Sequence, residues 1–252
     1  MLIAGIGVVW TVLLFLDLSR RGEVLQFNNA TWGYGISAGI SVAIANILLL
    51  ESLRHMEVSL GSTIYRLNTI AVVLLSILLL GESITLIKLA GIGCGIVAVL
   101  FLYQQQHSDG LHATLKTGLI IVVVGALLRA VYGILTKAGL LNGANTDSLM
   151  LISAICWIVS GLIYAIGIEK QYSLTREKLV YSVVSGLLVY GIVRTLVMAL
   201  TFGEASIVIT IANMSFLMAL LVAVILKMEA LSWRKVIAMF FAVSAIVLLS
   251  LA

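Results

Sequence analysis

The sequence contains no proline, two cysteines and three histidines, and charged residues make up only 10% of its 252 residues. Without proline, any break in a helix must come from glycine, serine or a bulge. Cys94 and Cys156 lie in apolar runs, without Cys-x-x-Cys or histidine spacing. These absences exclude a disulfide framework and a recognisable metal site, and no cofactor is expected.

Apolar residues dominate what remains. They make up 62% of the chain, and the mean hydropathy is +1.20. A soluble domain averages about 45–50% apolar and about 25% charged residues, and a chain this apolar could not cover its surface. A soluble enzyme and a disordered chain are therefore excluded, and an integral membrane protein embedded in a lipid bilayer is predicted. In a membrane protein Lys and Arg lie mostly at the ends of spans, and no basic run is dense enough to suggest a nucleic-acid partner, despite the net charge of +4.

Long apolar runs recur along the whole chain. A helix needs about 20 apolar residues to cross a bilayer, and continuous runs favour helices over the alternating pattern of a barrel. The fold class is therefore predicted to be all-α, with nine transmembrane helices. The predicted spans are residues 1–16, 33–53, 58–80, 84–103, 117–136, 149–168, 179–200, 205–226 and 233–251.

Shifting the chain by 147 residues aligns several charged and aromatic residues without a gap. Between Glu57 and Glu82, 7 of 26 positions are identical in the shifted copy. Charged residues coincide by chance less often than leucines do, so an internal repeat is predicted. Glu82 and its equivalent Glu229 stand at span ends and are expected to act as caps or loop anchors. The aligned pairs are Trp10/Trp157, Gly39/Gly186, Glu57/Glu204, Glu82/Glu229 and Lys88/Lys235.

The repeat divides one membrane domain into residues 1–103 and residues 117–252. The second segment contains five predicted spans and the first contains four, so the partner of span 117–136 would precede residue 1. The chain is expected to be a fragment or a late-annotated start, rather than a natural nine-span form. Because five is an odd number, the two repeats must run in opposite senses across the membrane. The predicted fold is two inverted five-helix repeats, with the first helix missing here.

The residues that mark each half resemble a known family. Each half has Glu-x-Ser at the start of a span, a glutamate at its end and a lysine six residues later. These segments resemble EamA-type members of the drug/metabolite transporter superfamily, and the resemblance covers nearly the whole chain. It implies a ten-span fold of two inverted repeats that transports small metabolites. The family often has a proline near the positions of Leu67 and Met214, and this sequence has none.

Three arginines lie inside predicted spans, namely Arg66, Arg129 and Arg194. A charge near the centre of a bilayer costs about 2.5–3.5 kcal/mol on insertion scales, so each is a functional hypothesis. No acidic residue is predicted at comparable depth, so these cations are expected to lack a fixed partner. If they face one cavity, they would bind an anion, because a guanidinium binds carboxylate or phosphate through two parallel hydrogen bonds. Snorkelling to the interface is the alternative for Arg129.

Small polar residues accompany Arg66 on one helical stripe, and their repeat equivalents form a second stripe that includes Asn213. The stripes either face each other across a pathway or only supply hydrogen bonds between helices. In the same way, Tyr190 and Tyr132 either line the site or only pair with a guanidinium. The predicted substrate-binding residues are Arg66, Arg194, Asn213, Arg129, Ser62, Thr63, Thr210, Asn68, Asn46, Tyr190 and Tyr132.

The sequence therefore predicts a secondary transporter that exports a small polar metabolite by alternating access, in a prokaryotic inner or plasma membrane. Its small-molecule substrate is expected to carry a carboxylate or phosphate, or to be a zwitterion such as an amino acid. A non-transporting membrane interaction partner or lipid-handling protein is the alternative. A membrane enzyme is not expected, because the sequence has no catalytic constellation. The motifs Gly35-x-x-x-Gly39 and Gly91-x-x-x-Gly95 either pack helices within one chain or support a homodimer.

Overall fold

The computed structural model describes residues 2–56, 61, 64–103, 112–169, 175–215 and 232–251. All regular secondary structure within these ranges is helical. This confirms the predicted all-α membrane class. In a bilayer the backbone must satisfy its own hydrogen bonds, and a helix does so within one segment.

The helices of the described ranges are labelled α1 to α9 in chain order. Two of them, α3 and α6, continue into a π-helical turn, at Ser76–Leu80 and Ala165–Glu169. Their bounds are α1 Leu2–Arg21, α2 Asn29–Ser52, α3 Asn68–Leu75, α4 Leu86–Tyr103, α5 His112–Leu141, α6 Thr146–Tyr164, α7 Arg176–Phe202, α8 Ala205–Asn213 and α9 Trp233–Ser250.

Six helices in the described part of the chain are long and apolar enough to cross a membrane. They lie at Leu2–Arg21, Asn29–Ser52, Lys116–Leu141, Thr146–Gly167, Arg176–Phe202 and Trp233–Ser250. Shorter apolar helices occupy Ile64–Leu80 and Leu86–Phe101. The protein is thus a multi-pass membrane protein. Parts of the predicted spans 58–80 and 205–226 lie outside the described residues.

The helices form two compact units, and each unit draws on both halves of the sequence. Unit 1 comprises residues 1–47 and 131–202, and unit 2 comprises residues 48–130 and 203–252. In unit 1, α1 packs against α6 and α7. Trp10 and Trp157 meet edge to face in its core, with ring centroids 6.0 Å apart. The two tryptophans at equivalent repeat positions therefore pack together in the core of unit 1.

Glycines let the helices of unit 1 approach closely. A Cβ on Gly39 would lie 2.7 Å from the Cys156 Sγ, and a Cβ on Gly186 would lie 2.6 Å from the Val9 Cβ. Gly39 and Gly186 are 147 residues apart, as are Val9 and Cys156. The two contacts therefore join equivalent positions. Gly39 is used to pack α2 onto α6 within one chain.

In unit 2, α4 packs extensively against α9. Both helices have 18 residues, and they begin 147 residues apart at Leu86 and Trp233. A Cβ on Gly91 would lie 2.8 Å from the Leu249 Cγ, so this glycine also packs helices within the chain. Both glycine motifs are thus used inside one chain, and the homodimer stays a prediction.

Gly161 gives a direct test of the packing in unit 1. A Cβ at this position would lie 2.5 Å from the backbone nitrogen of Ala4, which cannot move aside as a side chain would. We expect Gly161→Ala to lower the free energy of unfolding by about 1–3 kcal/mol, measured as a lower Tm in detergent. Gly191→Ala is the matched control, because nothing lies within 4 Å of its Cβ position. Equal Tm values for the two variants would contradict this packing.

Candidate substrate site

A turn at Leu67 and the end of α8 meet in the described part of unit 2, and we call these two places the helix breaks. Residues 64–66 are helical, Leu67 forms a turn, and α3 resumes at Asn68. Helix α8 ends at Asn213, and Met214 follows as its C-cap residue. Leu67 and Met214 are 147 residues apart, so the two breaks fall at positions related by the repeat offset. Neither break contains proline, so other contacts must hold the chain in this shape.

Polar side chains join the two breaks directly. The Arg66 Nη1 donates to the Asn213 carbonyl oxygen over 2.9 Å and to the Ser215 hydroxyl over 3.0 Å. In return, the Asn213 Nδ2 donates to the Asn68 Oδ1 over 2.6 Å and to the Thr69 Oγ1 over 2.7 Å. We call Arg66, Asn68, Thr69, Asn213 and Ser215 the crossing. The predicted stripes therefore meet in direct contact at the crossing, rather than facing each other across open space.

Thr210 and Asn46, two other residues predicted to bind substrate, donate hydrogen bonds to backbone carbonyls of their own helices. The Thr210 hydroxyl is fully buried and donates to the Ser206 carbonyl oxygen over 2.5 Å. In unit 1, the Asn46 Nδ2 donates to the Val42 carbonyl oxygen over 2.7 Å. The predictions for Ser62 and Thr63 lie outside the described residues. A role of Thr210 and Asn46 in substrate binding stays a prediction.

An apolar cavity of about 280 Å³ adjoins the crossing. Asn68, which is 2% exposed, lines the cavity and also belongs to the crossing. The Asn68 amide is the one polar side chain among the residues that line this cavity. The lining residues are Ile64, Leu67, Asn68, Ile70, Ala71, Leu74, Val123, Ala126 and Leu127.

Arg129 belongs to the same unit as the crossing. Its guanidinium interacts electrostatically with the Tyr65 hydroxyl and repels Arg66, so the two arginines lie near each other. Tyr132 is buried in the hydrophobic core of unit 1. Arg194 also belongs to unit 1, so Arg66 and Arg129 share a unit and Arg194 does not. The convergence of all three arginines on one cavity stays a prediction.

Arg194 has acidic partners, so the expectation that it lacks one is wrong. Its Nη1 lies 2.5 Å from the Asp147 Oδ1, and its Nε lies 3.6 Å from the Asp17 Oδ2. Tyr190 donates its hydroxyl hydrogen to the Asp17 Oδ2 over 3.0 Å. These partners are 47 and 177 residues from Arg194 in the sequence, so no helical spacing reveals them. Their carboxylates offset the cost of burying the guanidinium.

Arg21 completes a charge cluster, which we define as Asp17, Arg21, Asp147, Tyr190 and Arg194. The Arg21 Nη2 lies 3.1 Å from the Asp147 Oδ1 and 3.2 Å from the Asp17 Oδ2. The Asp147 side chain is only 8% exposed and stands in the first turn of α6, where a helix favours negative charge.

Sequence reasoning missed Asp147, although a signal for it exists. The Asn145 side chain accepts from the Ser148 backbone nitrogen as the N-cap of α6. Asparagine followed by an acid and a serine is typical of a helix start.

Glu82 caps α8, as predicted for a glutamate at a span end. Its carboxylate accepts from the Ala205 backbone nitrogen over 2.6 Å and from the Ser206 hydroxyl over 2.5 Å. The buried Lys88 ammonium lies 3.7 Å from the Glu82 Oε2 and forms a second ion pair with Glu204. Glu82 and Lys88 therefore anchor the start of the helix that ends at the crossing. The equivalent prediction for Glu229 lies outside the described residues.

The described fold and site define a multi-pass α-helical membrane protein with polar groups held at broken helices. The model of the EamA-like transporter family matches residues 1–104. This match bears out, over these residues, the predicted resemblance to EamA-type members of the drug/metabolite transporter superfamily. Members of this family are typically not enzymes.

A solved structure shares the fold. It is a crystal structure of a protein whose sequence is 16% identical to that of the present chain, and the TM-score is 0.80. The alignment covers 99% of the present chain and 88% of the chain in the solved structure. At this level of identity the likeness concerns the fold alone. No curated protein matches the sequence.

Proposed function

We propose that the protein is a secondary transporter that exports a small polar metabolite by alternating access in a prokaryotic inner or plasma membrane. The substrate carries a carboxylate or is a zwitterion such as an amino acid. The observation that carries this proposal is the crossing, where a guanidinium and two amides meet at two helix breaks. Transporters of inverted-repeat architecture bind substrate at such discontinuous helices near the bilayer midplane.

The proposed architecture is two inverted five-helix repeats, with four spans in residues 1–103 and five in residues 117–252. Contacts at a constant sequence offset support it. Arg66 contacts Asn213, and Trp10 contacts Trp157, and both pairs are 147 residues apart. Residues on a pseudo-two-fold axis contact their own equivalents, which is the pattern of these pairs.

In this proposal Arg66, Asn68 and Asn213 are the primary substrate contacts. A guanidinium has five N–H donors, so Arg66 can bind a carboxylate while its Nη1 holds the Asn213 carbonyl. The apolar cavity beside Asn68 suits the aliphatic part of the same substrate. Arg129, which interacts electrostatically with Arg66, adds positive charge near these contacts.

The alternative function is a lipid-handling or interaction partner that transports nothing. One observation favours it, which is the apolar character of the cavity wall. Ile70, Leu74 and Leu127 line the cavity and are between 42% and 57% exposed. An acyl chain would fit against such a surface without using the crossing.

Uptake into proteoliposomes tests the proposed function. We expect flux of a labelled amino acid or organic acid, and we expect Asn213→Ala to reduce that flux about tenfold or more by removing hydrogen bonds at the crossing. Arg54→Ala is the matched control, because Arg54 is exposed and pairs only weakly with Glu51. If a well-folded wild-type protein moves none of the tested solutes, the transporter proposal fails. Movement of labelled lipid instead would favour the alternative.

A further inference from the structure

Helix α8 ends at Asn213, within the apolar run predicted to span the membrane at residues 205–226. The C-terminal end of a helix carries a partial negative charge of roughly half an electron from its last carbonyl groups. In a bilayer an unsatisfied carbonyl costs several kcal/mol, because no water is available to bind it. The end of α8 therefore needs donors or a cation.

Three carbonyl oxygens at this end accept a hydrogen bond. The Met214 backbone nitrogen donates to the Ile211 carbonyl oxygen over 3.0 Å, and the Ser215 backbone nitrogen donates to that of Ala212 over 3.2 Å. The Asn213 carbonyl oxygen accepts from the Arg66 Nη1 over 2.9 Å. A permanent cation thus closes the negative end of α8.

The oxygen atoms around this cation are those that an alkali ion also selects. The Arg66 Nη1 contacts one backbone carbonyl oxygen and one serine hydroxyl oxygen. Unwound carbonyls and the C-terminal ends of half-helices are the groups that coordinate sodium in inverted-repeat transporters. At the crossing, the Arg66 guanidinium lies beside a carbonyl oxygen of this kind, at the C-terminal end of α8.

The other break does not carry an equivalent charge. The residue related to Arg66 by the repeat offset is Asn213, whose Nδ2 lies 3.4 Å from the Arg66 carbonyl oxygen. An amide supplies a donor but no charge. Of the two equivalent positions, Arg66 alone carries a positive charge, and its guanidinium lies at the end of α8.

We propose that Arg66, in addition to contacting the substrate, acts through its Nη1 as a tethered substitute for a coupling cation at the end of α8. This inference rests on the proposed transport function. Transport then needs no inorganic monovalent cation at the crossing, because the side chain supplies the charge. Removing the guanidinium creates a site that a free cation fills, and both stability and flux come to depend on that cation.

The test compares wild type with Arg66→Ala, Arg66→Gln and the control Arg54→Ala. In proteoliposomes we expect wild-type flux to be equal in sodium and in choline. We expect Arg66→Ala flux to fall about tenfold or more in choline, to recover in part in sodium, and to recover further in low millimolar guanidinium, which also supplies N–H donors for the substrate. Arg66→Gln keeps a hydrogen-bond donor without the charge and serves if Arg66→Ala does not fold. Arg66→Lys keeps the charge at the crossing, so its flux should be the same in choline and in sodium.

A second readout separates this inference from the proposed function. In detergent, sodium or guanidinium should raise the Tm of Arg66→Ala and Arg66→Gln, and neither should raise that of wild type or Arg54→Ala. If no cation raises the Tm of either Arg66 variant, or if wild-type flux requires sodium, the inference is overturned. If wild type transports no solute while the Tm of the Arg66 variants still rises, only the proposed function fails.

Discussion

Asp147→Asn lowers the free energy of unfolding by about 2–3 kcal/mol, since it removes the carboxylate between two guanidinium groups. Asparagine keeps the size of the side chain but not its charge. Arg194 then retains only the more distant Asp17, at 3.6 Å, and Arg21 retains Asp17 at 3.2 Å. We expect a decrease of roughly 6 °C in the Tm measured in detergent.

The matched control for Asp147 is Glu177→Gln. Both acids stand in the first turn of a helix, so both interact with the helix dipole in the same way. Glu177 is exposed, and its loss should change the Tm by about 1 °C or less. A double-mutant cycle with Arg194→Gln should show coupling between positions 147 and 194. Additive effects in that cycle would count against the ion pair.

Glu82→Gln has the second large expected effect, about 3 kcal/mol of unfolding free energy. It removes the carboxylate that accepts from the first turn of α8 and faces the buried Lys88. Because α8 ends at the crossing, we also expect lower flux in proteoliposomes. The loss of the helix cap and the loss of a partner for the buried ammonium together account for the large expected decrease in stability.

Two variants control the Glu82 experiment. Glu51→Gln alters an ion pair with the exposed Arg54 and should cost less than about 1 kcal/mol. Adding Lys88→Met to Glu82→Gln removes the buried ammonium and should recover part of the lost stability. If Glu82→Gln melts at the same temperature as wild type, the cap contributes nothing measurable and the anchor role is wrong.

The fold class was predictable because apolar runs between charged or turn residues identify membrane helices directly. The run predicted at 233–251 appears as Trp233–Ser250, where the Ser232 side chain caps the helix. The turn at Leu67 was not predictable in the same way, since residues 58–80 read as one continuous apolar run without proline. Arg66, next to this turn, is hydrogen-bonded to Asn213, which is 147 residues away in the sequence.

Sequence was sufficient for properties that are local or periodic. Apolar length defines the helices, the offset of 147 residues relates Arg66 to Asn213, and the glutamate at a span end indicates the cap at Glu82. Folding alone brings Asp147 to Arg194 and Arg66 to the end of α8. A buried charge pairs with a group that the packed helices place within about 4 Å. Such a partner can be far away in the sequence, because packing and not sequence separation determines the distance.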